Sequence, residues 1–302
     1  MDLPQSVKIV EVGPRDGLQN EAISVPVEVK VALIDKLVDA GLSVVESGSF
    51  VSPKWVPQMA SSGEVYHSIQ KRSNVSYPML VPNMKGLEAA LQAGVEEIAI
   101  FAAASETFTQ KNINCSIEQS LERYQQVVQK AQAENIKIRG YISCVLGCPY
   151  EGKVANDLVS KLALRLQDLG CYEISLGDTI GVGNPASALA MVEAVAQKID
   201  INQLAAHFHD TYGQGLVNIY AVLKAGITVF DSSIAGLGGC PYAKGASGNV
   251  ATEDLLYMLD GMKIETNVDL DKLLIAGDYI NQFLGRSSTS RVALAMVKRS
   301  KK

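Results

Sequence analysis

The feature that most constrains this chain is a regular alternation of short β-branched runs with longer amphipathic stretches, repeated eight times. The strand-like runs occupy 7–12, 43–47, 76–81, 96–101, 137–143, 172–176, 204–208 and 227–231. Between and after them, 25–40, 84–93, 117–134, 154–169, 185–198, 214–225 and 250–260 carry apolar residues at spacings of three and four. That spacing is the pattern of helices burying one stripe. Asn184-Pro185 has the order of an N-cap followed by a first-turn proline, and Gly41, Gly94, Gly170 and Gly226 stand where helix-ending glycines stand.

Strict βα alternation implies a parallel sheet. Eight strands in about 260 residues fit a closed (β/α)8 TIM barrel. Residues 1–302 are then one catalytic barrel domain, with 269–302 as a C-terminal helical extension. An open doubly wound sheet shares this periodicity, but a second observation favours the barrel. Nearly every strand ends in polar, small or glycine residues, among them Gly13-Pro14-Arg15-Asp16, Glu46-Ser47, Ala104-Ser105, Gly177-Asp178-Thr179, His207–Thr211 and Asp231-Ser232-Ser233. Barrel active sites lie at that C-terminal face.

Composition narrows the function classes. A net charge of -5 argues against a nucleic-acid partner. No run reaches the roughly 18 apolar residues of a membrane helix. The opening MDLPQSV carries no targeting leader, and the five scattered cysteines suit free thiols in a reducing compartment. These observations predict a cytoplasmic protein without a membrane partner.

Three motifs carry candidate chemistry. His207 and His209 are two apart at the end of the seventh strand, so both rings share one face. Such a pair is either two hydrogen-bonded histidines or two ligands awaiting a carboxylate. His67, in a helical stretch, reads as an ordinary surface residue. Arg15-Asp16 follows the first strand between Gly13-Pro14 and Gly17. On a plain surface this would be a weak ion pair; at a barrel mouth Asp16 suits a metal and Arg15 an oxyanion. The segment GLGGCPYAKGASGNVATED (236–254) packs five glycines around Cys240 and Asn249, as a ligand-covering loop would. Gly181-Val182-Gly183 mimics a dinucleotide fingerprint but starts too far beyond its strand, and Cys144-x-x-x-Cys148 lacks a second ligand pair.

Together, VGPRDGLQNE (12–21), SFVSPKWVPQM (49–59), KNINCSIE (111–118), YISCVLGCPYEG (141–152), SLGDTIGVG (175–183), HFHDTYGQG (207–215) and the 236–254 segment resemble the 3-hydroxy-3-methylglutaryl-CoA lyases. The resemblance runs from about residue 7 to residue 285. That family sits in a barrel group with isopropylmalate synthase and the carboxyltransferase of pyruvate carboxylase. The resemblance implies Mg²⁺- or Mn²⁺-dependent cleavage of an acyl-CoA substrate to acetyl-CoA and acetoacetate in leucine degradation, by a homodimer. It implies Asp16, His207, His209 and Asn249 as metal ligands, Arg15 facing the enolate and Cys240 supplying its proton. Glu46, Asp178 and Glu253 match further acidic positions tied to activity, Glu46 steadying Arg15. Either Asp16 or His207 serves as the base.

The tail RVALAMVKRSKK (291–302) has neither a peroxisomal signal nor the late cysteine of the animal enzymes, which points to a bacterial cytoplasmic form. A Claisen-type synthase of the same barrel group is the nearest alternative; it usually carries an added C-terminal regulatory region. A biotin-carboxyltransferase subunit would carry a strand-end lysine at the metal site, and a non-catalytic acyl-CoA binder would not need the full set of ligands and acids.

Overall fold

The computed structural model describes residues 3–239 and 248–300. Nine parallel strand segments form one sheet in it: β1 (Lys8–Glu11), β2 (Val44–Val45), β3 (Gly48–Ser49), β4 (Met79–Leu80), β5 (Glu97–Ala103), β6 (Lys137–Ser143), β7 (Glu173–Asp178), β8 (Leu204–Phe208) and β9 (Val229–Ser232). Their order is β2-β1-β9-β8-β7-β6-β5-β4-β3. The two ends of that order belong to one extended run, interrupted only at Glu46-Ser47. On one side the Glu46 N–H donates to Glu11 O; on the other, Val45 and Ser47 donate to Ser76 O and Pro78 O. The ring therefore closes, and the (β/α)8 barrel replaces the open sheet. The predicted strand 76–81 shrinks to two ladder residues because Pro78 has no N–H to offer.

Helices α1 (Val27–Asp39), α2 (Ser62–Ser68), α3 (Met84–Gln92), α4 (Glu106–Ile113), α5 (Ile117–Ala133), α6 (Asn156–Leu169), α7 (Pro185–Ala196) and α8 (Gly215–Ala225) cover the outside. They are followed by α9 (Thr252–Gly261), α10 (Leu270–Leu284) and α11 (Arg291–Ser300), of which α10 packs on α1 and α9. Local chemistry explains their ends. The Asn184 side chain accepts the Ala186 and Ser187 N–H groups, and Gly170 and Gly226 adopt left-handed conformations where α6 and α8 stop. Sequence periodicity missed α4, whose polar ETFTQKNI has a weak apolar stripe; its start is marked by Ser105, which caps the Phe108 N–H. His67 is exposed on α2, as expected. Among the described residues no helix is long and apolar enough to cross a membrane.

Strand alternation sorts side chains into two layers. Ile98, Ile100, Ile138, Ile174, Leu176 and Phe208 face the helices and share one apolar core with Leu33, Leu87, Leu166 and Ile219. The barrel interior is different. It holds a small apolar plug of Val10, Val12, Val44, Ala205 and Val229, then a chain of charge that is buried except at its Lys8 end. Lys8 Nζ lies 2.6 Å from Glu173 Oε2, and Arg139 Nε donates to Glu173 Oε1 at 2.7 Å. The Arg139 guanidinium then grips both oxygens of Asp231, at 2.7 and 3.1 Å. Removing one member of such a network strands the others in low dielectric, at a cost of about 3–5 kcal/mol. Arg139→Met should therefore lower the unfolding free energy by about that amount in urea titrations; an unchanged midpoint would show that the interior is hydrated.

Candidate active site

The barrel's C-terminal mouth is built from strand ends, and the first is unusual. After β1 the chain makes a π-helical turn, Gly13–Gly17, in which the Asp16 and Gly17 N–H groups both return to Val12 O. Such turns are frequent at functional sites. Here the turn aims Arg15 and Asp16 across the mouth. A Cβ on Gly17 would sit 2.7 Å from Leu237 Cβ, so glycine lets the turn press directly onto the segment after β9.

Arg15 is buried between two carboxylates. Its Nη1 donates to Asp16 Oδ1 at 2.6 Å, and its Nη2 lies 2.7 Å from Glu46 Oε2. Tyr141 donates its hydroxyl to the same Glu46 oxygen at 3.2 Å and presents its ring to Arg15. Burial alone would disfavour the guanidinium charge, but Glu46 and Asp16 hold it firmly protonated. Burial likewise opposes the Asp16 carboxylate, yet Arg15 and the two histidines keep its pKa at about 2.

Asp16, His207 and His209 offer ligand atoms that all lie within 4.8 Å of one another, the one such group found among the described residues. Behind His207, Asp231 Oδ2 lies 3.1 Å from Nδ1, which turns Nε2 toward Asp16 at 3.8 Å. Burial lowers the proton affinity of His207, but the Asp231 hydrogen bond and charge raise its pKa overall. His209 has no such partner. Burial and the neighbouring His207 push it down to about 4, so its imidazole is neutral at pH 7. Its Nδ1 is buried with no hydrogen-bond partner.

Asn249 joins from the returning side of the glycine-rich segment. Gly248 and Val250 pair with the end of β8 through Asp210 N–H to Gly248 O and Val250 N–H to Phe208 O. This sets Asn249 opposite His209, with its amide nitrogen 2.8 Å from Asp16 Oδ2. Turning that amide over exchanges its nitrogen for its oxygen. One charged carboxylate, two imidazoles held by their surroundings and a reversible amide make a donor set suited to a divalent cation. The orphaned His209 nitrogen supports that fit.

Two predicted acids lie outside this cluster. Asp178 faces the helices and accepts the Val182 and Gly183 N–H groups at 3.2 and 2.8 Å. That engagement also removes Gly181-Val182-Gly183 as a phosphate cradle. Glu253, in the first turn of α9, accepts the Ala235 N–H on both oxygens at 3.0 Å. Ala235 has a left-handed φ of 55°. Cys240 lies outside the described residues. The Cys148 sulfur takes backbone N–H groups from Tyr150 and Glu151 and sits 3.0 Å from Ser105 Oγ, so it serves its own loop.

Sequence motifs do not single out Arg139, Tyr141 or Glu173, and they mark Asp231 only as a polar strand end. Their signal was available: charged or phenolic residues at alternate, inward positions of strands otherwise rich in isoleucine and leucine. Glu11 was also missed, since one acid ending an apolar strand looks ordinary.

The sequence profile of the HMGL-like family matches residues 6–280. The chain belongs to this family. It is 60% identical over 296 residues to the mitochondrial hydroxymethylglutaryl-CoA lyase of Rattus norvegicus, covering 98% of this chain and 91% of that one. It is 58% identical over 297 residues to the 3-hydroxy-3-isohexenylglutaryl-CoA/hydroxy-methylglutaryl-CoA lyase of Pseudomonas aeruginosa, covering 98% and 99%. A crystal structure of hydroxymethylglutaryl-CoA lyase from Pseudomonas aeruginosa superposes with a TM-score of 0.97 at 58% identity, covering 99% of this chain and 100% of that one. The expected barrel and family resemblance are both borne out.

The buried acids behind the mouth make stability pH-dependent. Burial, reinforced by the nearby Glu11 charge, pushes Glu253 from an ordinary 4.5 up to about 8. A raised folded pKa means the contribution is fully present below pH 4.5 and lost as pH rises through 8. Glu253→Gln cannot ionise, so its melting temperature should gain on the parent steadily from pH 5 to pH 8. A constant offset across that range would mean Glu253 is not titrating there.

Proposed function

We propose that this chain cleaves 3-hydroxy-3-methylglutaryl-CoA into acetyl-CoA and acetoacetate. The observation that carries the reading is the convergence of Asp16, His207 and His209 beside a clamped Arg15 at the barrel mouth. Near-full-length identity to lyases bearing that activity in their names supports it. Asp16, His207, His209 and Asn249 would hold Mg²⁺ or Mn²⁺. Bound there, the ion supplies Lewis acidity that makes a tertiary hydroxyl easier to deprotonate.

The chain's own groups do the rest. Asp16 or His207 takes the C3 hydroxyl proton, a role worth about 10²–10⁴-fold. The C2–C3 bond breaks, its electron pair moves to C2, and C3 becomes the ketone of acetoacetate. Arg15 offsets the charge that develops on the thioester oxygen, with Glu46 keeping the guanidinium oriented. Cys240 returns a proton to C2, completing acetyl-CoA. Asp178 and Glu253 act from behind by holding the backbone of the adjoining loops. Residues 1–302 work as one catalytic unit with 269–302 as its helical extension. The protein acts as a homodimer on a small acyl-CoA in the cytoplasm, in leucine breakdown. The Pseudomonas relative, a 3-hydroxy-3-isohexenylglutaryl-CoA/hydroxy-methylglutaryl-CoA lyase, raises a second reading, in which the substituent at C3 is a longer isohexenyl chain.

The test is acetoacetate release from 3-hydroxy-3-methylglutaryl-CoA with Mg²⁺, with EDTA, and in parallel on the isohexenyl analogue. Release that EDTA abolishes supports the reading; no release with Mg²⁺ overturns it, and faster turnover of the longer analogue selects the second substrate. Arg15→Met should lower kcat by about 10²–10³-fold. Cys240→Ala should lose most turnover and keep its metal, whereas His209→Ala should lose metal affinity; equal metal loss in both would reverse those roles.

A further inference from the structure

Glu11 is a carboxylate in the wrong layer. Along β1 it shares the helix-facing side with Ile9, where the packing is aliphatic, and it is completely buried. Among the described residues no cation pairs with it. A lone buried acid is costly unless donors surround it. Three donors do, one two residues along the chain and two from segments far away in sequence. Its Oε1 accepts the Gly13 N–H and the Ile234 N–H, both at 2.8 Å. Its Oε2 accepts the Thr252 hydroxyl at 2.7 Å, and Thr252 Oγ1 lies 2.9 Å from Ser232 Oγ.

Each donor marks a root of the mouth. Gly13 opens the turn that carries Arg15 and Asp16. Ile234 begins the path into the glycine-rich segment, and Thr252 begins α9 where the chain returns from it. Asn249 lies on that return, three residues before Thr252, and bonds to Asp16. Glu253 holds the next amide, Ala235, in a left-handed conformation that is strained for a non-glycine residue. Such strain persists only where the surroundings over-determine it.

We propose that Glu11 is a positioning residue: its one carboxylate sets the register of the Gly13–Gly17 turn against both roots of the glycine-rich segment, and so places Asp16 against Asn249. The inference rests on the reading of those two side chains as metal ligands. A carboxylate meets all three at once, since it offers acceptors on both oxygens and brings no donor. Glutamine in its place would turn an NH₂ group toward at least one of the three donors.

Three variants test this: Glu11→Gln, Thr252→Val and the double. The metal-free proteins are titrated with Mn²⁺ by calorimetry, without substrate, and their urea unfolding is recorded; kcat and KM follow on the Mg²⁺-loaded enzyme. Each variant should unfold cooperatively yet bind Mn²⁺ about 10- to 100-fold more weakly, as losses behind a metal's ligands do. Turnover should fall while KM for the acyl-CoA holds, and the double should be no worse than the poorer single, because both remove one hydrogen bond. A folded Glu11→Gln with parental Mn²⁺ affinity overturns the proposal, as do additive losses in the double. If Glu11→Gln does not fold, Thr252→Val decides the matter by the same readout. A parent that binds Mn²⁺ but cleaves no acyl-CoA would overturn the proposed reaction while leaving the Glu11 result standing.

Discussion

The grip of Arg139 on Asp231 is the interaction on which the mouth of this barrel depends. Asp231 also accepts the Ser175 hydroxyl and faces His207 Nδ1, so one carboxylate answers to three groups. Without the guanidinium, that charge would sit unpaired at the centre of the barrel. With it, the His207 ring has one stable orientation, Nδ1 inward and Nε2 toward Asp16. Buried ion pairs of this kind seldom add net stability over an aliphatic filling. Their contribution here is geometric, holding a ring that β8 alone would leave free to turn about its side-chain bonds.

A second constraint acts at the rim. Arg15 and Asp16 are neighbours in sequence, but their common direction comes from the π-helical turn and from its glycines. Gly13 and Gly17 let the turn press against side chains of the segment leaving β9, with Ser233 Oγ and Leu237 Cβ where their own side chains would otherwise stand. The turn, the segment leaving β9 and the segment entering α9 then form one block, stitched by Glu11 and Glu253. The chemistry proposed for the site needs Arg15 and the candidate ligands held to within fractions of an ångström. Buried carboxylates bonded to backbone amides hold such tolerances better than long solvent-facing side chains do.

Much of this was legible in the residues. The βα alternation specified parallel strands and helices, because periods of two and 3.6 bury different faces. The polar strand ends marked the mouth, and His207-x-His209 lay on one strand face by parity alone. Arg15-Asp16 and Asn249 stood in glycine-bounded segments that suited a barrel mouth, while their roles as ligands came from the family resemblance. Strand lengths were less legible, since Pro78 withholds a ladder donor, and α4 escaped because its stripe is polar.

The sequence by itself determined which residues could meet: local periodicity and backbone chemistry are properties of neighbours along the chain. It could not decide which of the many buried acids would serve which partner. Glu11 and Thr252 are separated by 241 positions, Arg139 and Asp231 by 92. Those pairings exist only because closing the ring sets the roots of distant strands side by side. Burial then turns each such meeting into an obligation, since a charge in low dielectric must find its donors there or not be charged at all.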